Sequence, residues 1–261
     1  MAGPGQAGAD YGYAAPGATY DSQALFDEVI SLCRRVGARR VLDLGCGNGA
    51  FCRVLTDRGF EAVGCDPSES GVRIAARAVP AATFRQLGVY DDPAALDEPH
   101  FDAVVAIEVV EHLYLPRHLP RFARRVLKPG GSLILTTPYH GYLKNLAIGV
   151  LGRWDTHWSP LWDGGHVKFW SVRTLRALVE PEGFSYERFS GVGRVPGFWK
   201  SMVLQFRRDV GGVQEPARQA DANRAAAGTP GADQTEESSN GAHDPAQGAG
   251  QRCAQTDQPA R

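Results

Sequence analysis

Between residues 22 and 36 the apolar positions Leu25, Val29, Leu32 and Val36 recur at the three- and four-residue spacing of one helical face. Downstream the pattern changes to short apolar runs bounded by turn residues, at 40–44, 62–65, 82–87, 101–107 and 132–136, which read as five strands. The segments between them are long enough for crossover helices, so this order predicts a parallel sheet with helices on both faces. Right-handed crossovers bring the strand C-termini to one edge, where open α/β sheets bind ligands. Lys128-Pro129-Gly130-Gly131 reads as a tight turn before the fifth strand. Ser171 is placed to cap a helix with Leu175, Leu178 and Val179 on one face and Gly183 just past its end. Runs at 185–190 and 201–206 then complete a Rossmann-like, mostly parallel sheet of seven strands.

One apolar stripe lies outside this plan. Within an insertion at 139–163, residues 142–154 place Leu143, Leu146, Ala147, Val150, Leu151 and Trp154 on one helical face. Either this helix packs on the domain or over the active site, or it makes peripheral membrane contact, with Lys144 and Arg153 meeting lipid headgroups. Gly149 and Gly152 weaken the helix and suit a mobile lid. Trp154, Trp158 and Trp162 would make an aromatic wall for a planar or prenylated acceptor.

Composition separates the ends from the middle. Residues 1–20 are Gly, Ala and Pro with Tyr11, Tyr13 and Tyr20 and no Leu, Ile or Val, which suits a flexible arm or a lid. Residues 209–261 contain no Leu, Ile, Phe, Tyr, Trp or Met, so a disordered tail is expected beyond a domain at 21–208. That tail carries eight acidic and four basic residues, so the formal charge of -1 leaves the folded part only mildly basic. Wrapping of nucleic acid is therefore not expected. The five cysteines (Cys33, Cys46, Cys52, Cys65, Cys253) show no Cys-x-x-Cys spacing, which suits a reducing compartment. With no run of about 18 apolar residues and no secretory signal at the N-terminus, a cytoplasmic location is expected, peripheral to a membrane if the insertion helix touches lipid.

The chemistry concentrates at two strand ends. The first strand closes on Val41-Leu-Asp-Leu-Gly-Cys-Gly-Asn-Gly49, a glycine turn opening into a helix near Ala50. Its glycines let a cofactor lie against bare backbone. A dinucleotide turn places its third glycine one residue later, and Asp43 inside the strand end would repel pyrophosphate. The same acid suits a cofactor with an amino group and a sulfonium, as S-adenosylmethionine has. Asp66 ends the second strand, where an acid can accept both ribose hydroxyls. These residues resemble the class I S-adenosylmethionine-dependent methyltransferases over about 41–206. The resemblance implies cofactor contacts at Asp43, Gly45, Cys46, Gly47, Gly49 and Asp66. It also puts adenine near Val89-Tyr90-Asp91, where Tyr90 is equally readable as a surface aromatic.

After the fourth strand, Glu108-Val-Val-Glu-His112 brings two carboxylates and an imidazole to the same edge. If a helical turn starts there, Glu108, Glu111 and His112 share one face. They are readable as metal ligands or as charge and cap at a helix start. Further on, Trp162-Asp-Gly-Gly-His166-Val-Lys-Phe-Trp-Ser171 sets a histidine in a glycine turn. Small-RNA 3'-terminal 2'-O-methyltransferases are similar in this Glu-x-x-Glu-His cluster and later histidine. Ubiquinone-biosynthesis-type O-methyltransferases are similar in the Glu108–Leu113 segment, in the placement of the insertion and in residues 193–201. The resemblance makes Glu108, Glu111, His112 and His166 candidate ligands for Mg²⁺, Mn²⁺, Fe²⁺ or Zn²⁺, with imidazoles favouring a transition ion. Glu108 is also a cofactor candidate, and Glu111, His112 and His166 are the candidate catalytic residues, either histidine serving as general base without an ion. The expected activity is O-methyl transfer to a phenolic or quinol-like acceptor. Metal-dependent RNA 2'-O-methylation and a non-catalytic binding protein of the same fold are the competing readings.

Overall fold

The computed structural model describes residues 13, 15, 22–96, 100–155, 161 and 165–211. Most of the proposed arm, Trp158, Trp162 and the proposed tail from residue 212 lie outside the described residues.

In chain order the elements are α1 (Gln23–Arg35), β1 (Arg40–Leu44), α2 (Ala50–Asp57), β2 (Glu61–Asp66), α3 (Glu69–Ala78) and β3 (Thr83–Gln86). There follow β4 (Phe101–Ala106), α4 (His118–Val126), β5 (Leu127–Pro138), α5 (Tyr142–Val150), α6 (Val172–Val179), β6 (Phe184–Val192) and β7 (Ser201–Arg208). The sheet order is β3-β2-β1-β4-β5-β7-β6. The first five strands run parallel, and β7 is antiparallel to both of its neighbours. The chain builds outward from β1 to β3 and then returns to lay β4 against β1. This reversal opens the ligand crevice between the ends of β1 and β4.

Alternate side chains of the central strands serve opposite faces. Val41, Ala103, Val105, Ile134 and Val203 pack with α1 and α2 residues such as Val29, Ile30, Phe51 and Leu55. Leu42, Leu44, Val104, Leu133, Leu135 and Leu204 pack on the other face with Leu119, Phe122, Leu175 and Val179. Both faces of the sheet are therefore covered, which is why its strands read as unbroken apolar runs. Ser171 caps α6 as its sequence suggests, its hydroxyl accepting from Thr174 N while Thr174 Oγ1 accepts from Ser171 N.

Three local expectations are corrected. Residues 128–131 do not precede the fifth strand as a turn but bulge within it. Phe101 pairs with Leu127 and Ala103 with Ser132, so the four residues between swing out opposite Asp102. Asp102 holds that bulge through Lys128 Nζ at 2.6 Å and also accepts from the amides of Arg39 and Arg40. The insertion helix ends at Val150 rather than continuing to Trp154, because Gly152 takes a left-handed φ of 61°. Arg153 N then donates to Ile148 O and Gly152 N to Gly149 O, the paired bonds of a Schellman stop. Lys144 does not reach outward to lipid headgroups: it is buried, and its ammonium donates to Tyr139 O at 2.8 Å.

The apolar stripe of α5 is not packed on the domain among the described residues. Leu143, Leu146, Val150, Leu151 and Trp154 are each about half exposed or more, from 46% to 77%. No described helix is long and apolar enough to cross a membrane.

Candidate active site

The glycine turn follows β1 at the centre of the crevice. Gly45, Gly47 and Gly49 all adopt positive φ, at 89°, 51° and 80°. At Gly45 the requirement is also steric, since a Cβ would stand 2.5 Å from Val109 Cγ2, in the segment that follows β4. The turn is held from β2: Gly45 N and Cys46 N both donate to Cys65 O, at 2.7 and 3.0 Å. Asp66 ties the turn to the start of α3, accepting from Gly47 N and Ser68 N at 2.9 Å each. A carboxylate has about four acceptor positions, so Asp66 keeps capacity for ribose hydroxyls.

Asp43 sits within the sheet, its backbone paired across to Gly64 on one side and Val105 on the other. Its carboxyl is buried and accepts from Cys52 Sγ at 3.4 Å. Burial pushes it up to about 7, against the lowering effect of the Cys52 contact and with a smaller push from Asp66. Burial likewise raises the Cys65 thiol, so the thiols around the turn are packing groups rather than nucleophiles. Tyr90 is half-buried at the far end of the crevice. Its hydroxyl accepts from Leu115 N at 3.2 Å and its ring meets His118 edge-on, so it also braces the loop before α4.

The acid and histidine cluster is assembled differently from one helical face. Glu108 takes a left-handed φ of 53°, and the turn that follows is a short 3-10 helix at Val110–His112. Thr136 on β5 fixes that bend with one hydroxyl, which accepts from Glu108 N at 3.0 Å and donates to Glu108 Oε1 at 2.9 Å. The His166 segment is fastened to the same turn by three bonds. Val167 N and Lys168 N donate to Glu111 O, and Trp170 Nε1 donates to Val110 O. In consequence Glu111, His112 and His166 each offer a ligand atom, and these atoms lie within 4.8 Å of one another. The two imidazoles meet edge-on at 4.9 Å, and His166 Nε2 stands 4.0 Å from Glu111 Oε1. Glu108 stands beside this trio rather than within it.

Burial raises both carboxyls of the pair. Burial raises Glu108 to about 7 despite hydrogen bonds from Thr136 and Ser201 and the charges of Lys200 and Lys144. Burial, then the neighbouring Glu108 carboxylate, raises Glu111 well above the usual carboxylate range. Glu111 is 1% exposed, and its carboxyl is offset only partly by the Thr137 hydroxyl and its own amide, neither of which reaches it with the geometry of a full hydrogen bond. A buried carboxyl so placed is costly unless a cation or a proton accompanies it. The donor set of one carboxylate and two imidazoles fits a divalent transition ion.

Several contributors carried little sequence signal. Thr136 reads as a strand residue, Val109 as a spacer and Lys144 as a surface charge. Only their position at strand ends on one edge hints at a shared site. Tyr139, Phe189 and Trp199 form an aromatic cluster with ring centroids 5.1 to 6.4 Å apart, and His140 meets Phe169 at 5.0 Å.

Comparison with known proteins bears on the family and the fold. The mitochondrial ubiquinone biosynthesis O-methyltransferase of Mus musculus is 36% identical over 173 residues, covering 61% of this chain and 45% of that protein. The ubiquinone biosynthesis O-methyltransferase of Azorhizobium caulinodans is 30% identical over 171 residues, covering 62% of this chain and 65% of that one. The chain thus spans about half the length of the mouse relative and under two thirds of the bacterial one. Among solved structures, magnesium protoporphyrin IX methyltransferase from Synechocystis with bound SAH shares the fold at a TM-score of 0.52 and 21% identity, over 71% of this chain and 82% of that one. The sequence profile described as "Methyltransferase domain" matches residues 19–188, and with a class I sheet around a glycine turn and its strand-end acids, the chain belongs to that methyltransferase family.

Proposed function

We propose that this chain transfers a methyl group from S-adenosylmethionine to an oxygen of a small phenolic or quinol-like acceptor, with a divalent ion at Glu111, His112 and His166. The observation that carries the reading is the convergence of those three residues, one of them a fully buried carboxyl, beside the glycine turn. The names of the relatives support the acceptor class, since they are ubiquinone biosynthesis O-methyltransferases. S-adenosylmethionine supplies the activated methyl, and a divalent ion supplies the Lewis acidity that lowers the pKa of a phenolic hydroxyl. The chain's own residues do the rest. Asp66 accepts the ribose hydroxyls while anchoring the turn through Gly47 N. Glu111, His112 and His166 would hold the ion and so fix vicinal oxygens of the acceptor; lacking it, either imidazole could take the hydroxyl proton. Glu108, bent back onto Thr136, keeps a second acid beside the ligands. Holding both reactants in line supplies much of the acceleration of such a displacement.

The exposed stripe of α5 supports a further element of this reading, contact with a lipid surface that carries a greasy acceptor. Labelled S-adenosylmethionine presented with catechols, simple phenols, carboxylates and short RNA tests the acceptor. Label on the catechols is expected. Label on RNA alone would replace the phenolic reading with RNA 2'-O-methylation, and no label on any of them would leave the fold without the proposed activity.

A further inference from the structure

We propose that Tyr139, backed by Trp199 and Phe189, is a specificity-determining residue whose ring packs against the ring of an aromatic acceptor; this rests on the acceptor and ion reading above. Tyr139 lies one step past β5, where its N–H still donates to Lys200 O and so continues the pairing with β7. Side chains alternate along a strand, so Leu135, Thr137 and Tyr139 share one face. Leu135 packs in the core on that face, the Thr137 hydroxyl lies beside the Glu111 carboxyl, and Tyr139 comes next outward. Two residues of strand put it roughly 7 Å beyond Thr137. On the inner side the face is closed by Val110, Leu135 and Trp170, all buried. A ring whose vicinal oxygens were fixed at Glu111, His112 and His166 therefore extends outward, along Tyr139.

The local sequence builds this wall. Trp199 meets Tyr139 edge-on at 5.1 Å and Phe189 at 5.5 Å. A Cβ on Gly141 would collide with the Tyr139 hydroxyl, and one on Gly191 with the Trp199 ring. Neither glycine has a positive φ, so each is needed for the space it leaves and not for its backbone. Lys144, buried in the first turn of α5, fixes the Tyr139 carbonyl at 2.8 Å. Tyr139 is itself half-buried, which leaves part of the side chain for a ligand. Rings favour edge-to-face or offset contact with other rings, so the cluster selects a planar aromatic acceptor. An aliphatic diol offers an ion the same two oxygens but no ring to pack.

The test is steady-state methyl transfer by the full chain with Mn²⁺ to catechol and to 2,3-dihydroxynaphthalene, with calorimetry of S-adenosylhomocysteine alongside. Tyr139→Leu keeps apolar bulk without a ring. It is expected to raise the KM for catechol about two- to tenfold with kcat held, and the KM for the larger diol further. Tyr139→Phe keeps the ring and is expected to recover most of that loss. Gly141→Ala, which crowds Tyr139 without replacing it, is expected to raise KM in the same way. Affinity for S-adenosylhomocysteine is expected to change less than about twofold in each variant, which separates a lost wall from a damaged fold. An unchanged KM in Tyr139→Leu, a Phe variant as impaired as Leu, or a parallel loss of S-adenosylhomocysteine affinity overturns the role of Tyr139 while the acceptor reading stands. A wild type that methylates neither diol overturns both.

Discussion

Replacing Glu111 with Gln should make the metal-free protein more stable while abolishing its ion site, and the gain should grow with pH. Burial, then the Glu108 carboxylate, raises the folded carboxyl well above its ordinary value of 4.5. A carboxyl raised on folding contributes its full stability below the unfolded value and loses it as pH rises towards the folded one. Each pH unit above 4.5 therefore costs the wild type about 1.4 kcal/mol until the buried group ionises. Glutamine carries no such cost. Between pH 5 and pH 7 the variant should gain on the wild type, by up to about 1.4 kcal/mol for each pH unit over which the wild-type carboxyl stays protonated. For a domain of this size each kcal/mol is roughly 2–4 °C in Tm. Urea unfolding of EDTA-treated wild type and Glu111→Gln at both pH values reads it directly. Any fixed packing cost of the amide cancels in the comparison between the two pH values. Added Mn²⁺ should raise the Tm of the wild type and leave the variant unmoved. A stability difference that is the same at both pH values, or an equal response to Mn²⁺, would refute the reasoning.

Other consequences are open to simple measurements. Asp66→Ala removes the acceptor for Gly47 N and Ser68 N as well as for ribose. It should weaken S-adenosylhomocysteine binding about a hundredfold or more by calorimetry, and near-native affinity would contradict the assignment. Asp43, raised to about 7 by burial, should make the ligand-free protein less stable as pH rises from about 4 to 7. Asp43→Asn should flatten that part of the profile in chemical denaturation. Changing exposed Leu146 and Leu151 to Ser should reduce co-sedimentation with anionic vesicles without lowering Tm. Unchanged partitioning would count against lipid contact.

The parts of the fold that were legible in the chain were those written in periodicity. Runs such as 101–107 and 201–206 had to be strands because their side chains are buried on both faces, and Ser171 starts α6 by capping chemistry that is local, while Gly183 ends not α6 itself but the 3-10 turn Glu180–Glu182 that follows it. What was not legible depended on contacts distant in sequence. The bulge at 128–131 exists because Asp102 on the neighbouring strand gathers Lys128 and two amides, a pairing that turn chemistry alone does not reveal. The stripe of α5 was visible as a pattern, but pattern cannot say which face a helix turns to its domain. Lys144 settles that face by reaching Tyr139 O. At the site, the ligand-bearing residue types were apparent from spacing. Their grouping came from the resemblance, and of the four residues it named Glu111, His112 and His166 come together; the shared helical face for Glu108, Glu111 and His112 does not form, because Glu108 bends left-handed against Thr136, 28 residues away.

Methyl transfer to a catechol by the full chain, measured after stripping with EDTA and again after Mn²⁺ is restored, reaches the heart of the matter. Turnover should be lost on stripping, return with Mn²⁺, and fail to return in Glu111→Gln. An EDTA-treated wild type that methylates the catechol at its full rate would contradict an ion at Glu111, His112 and His166. It would leave the imidazoles as the bases of a metal-free reaction.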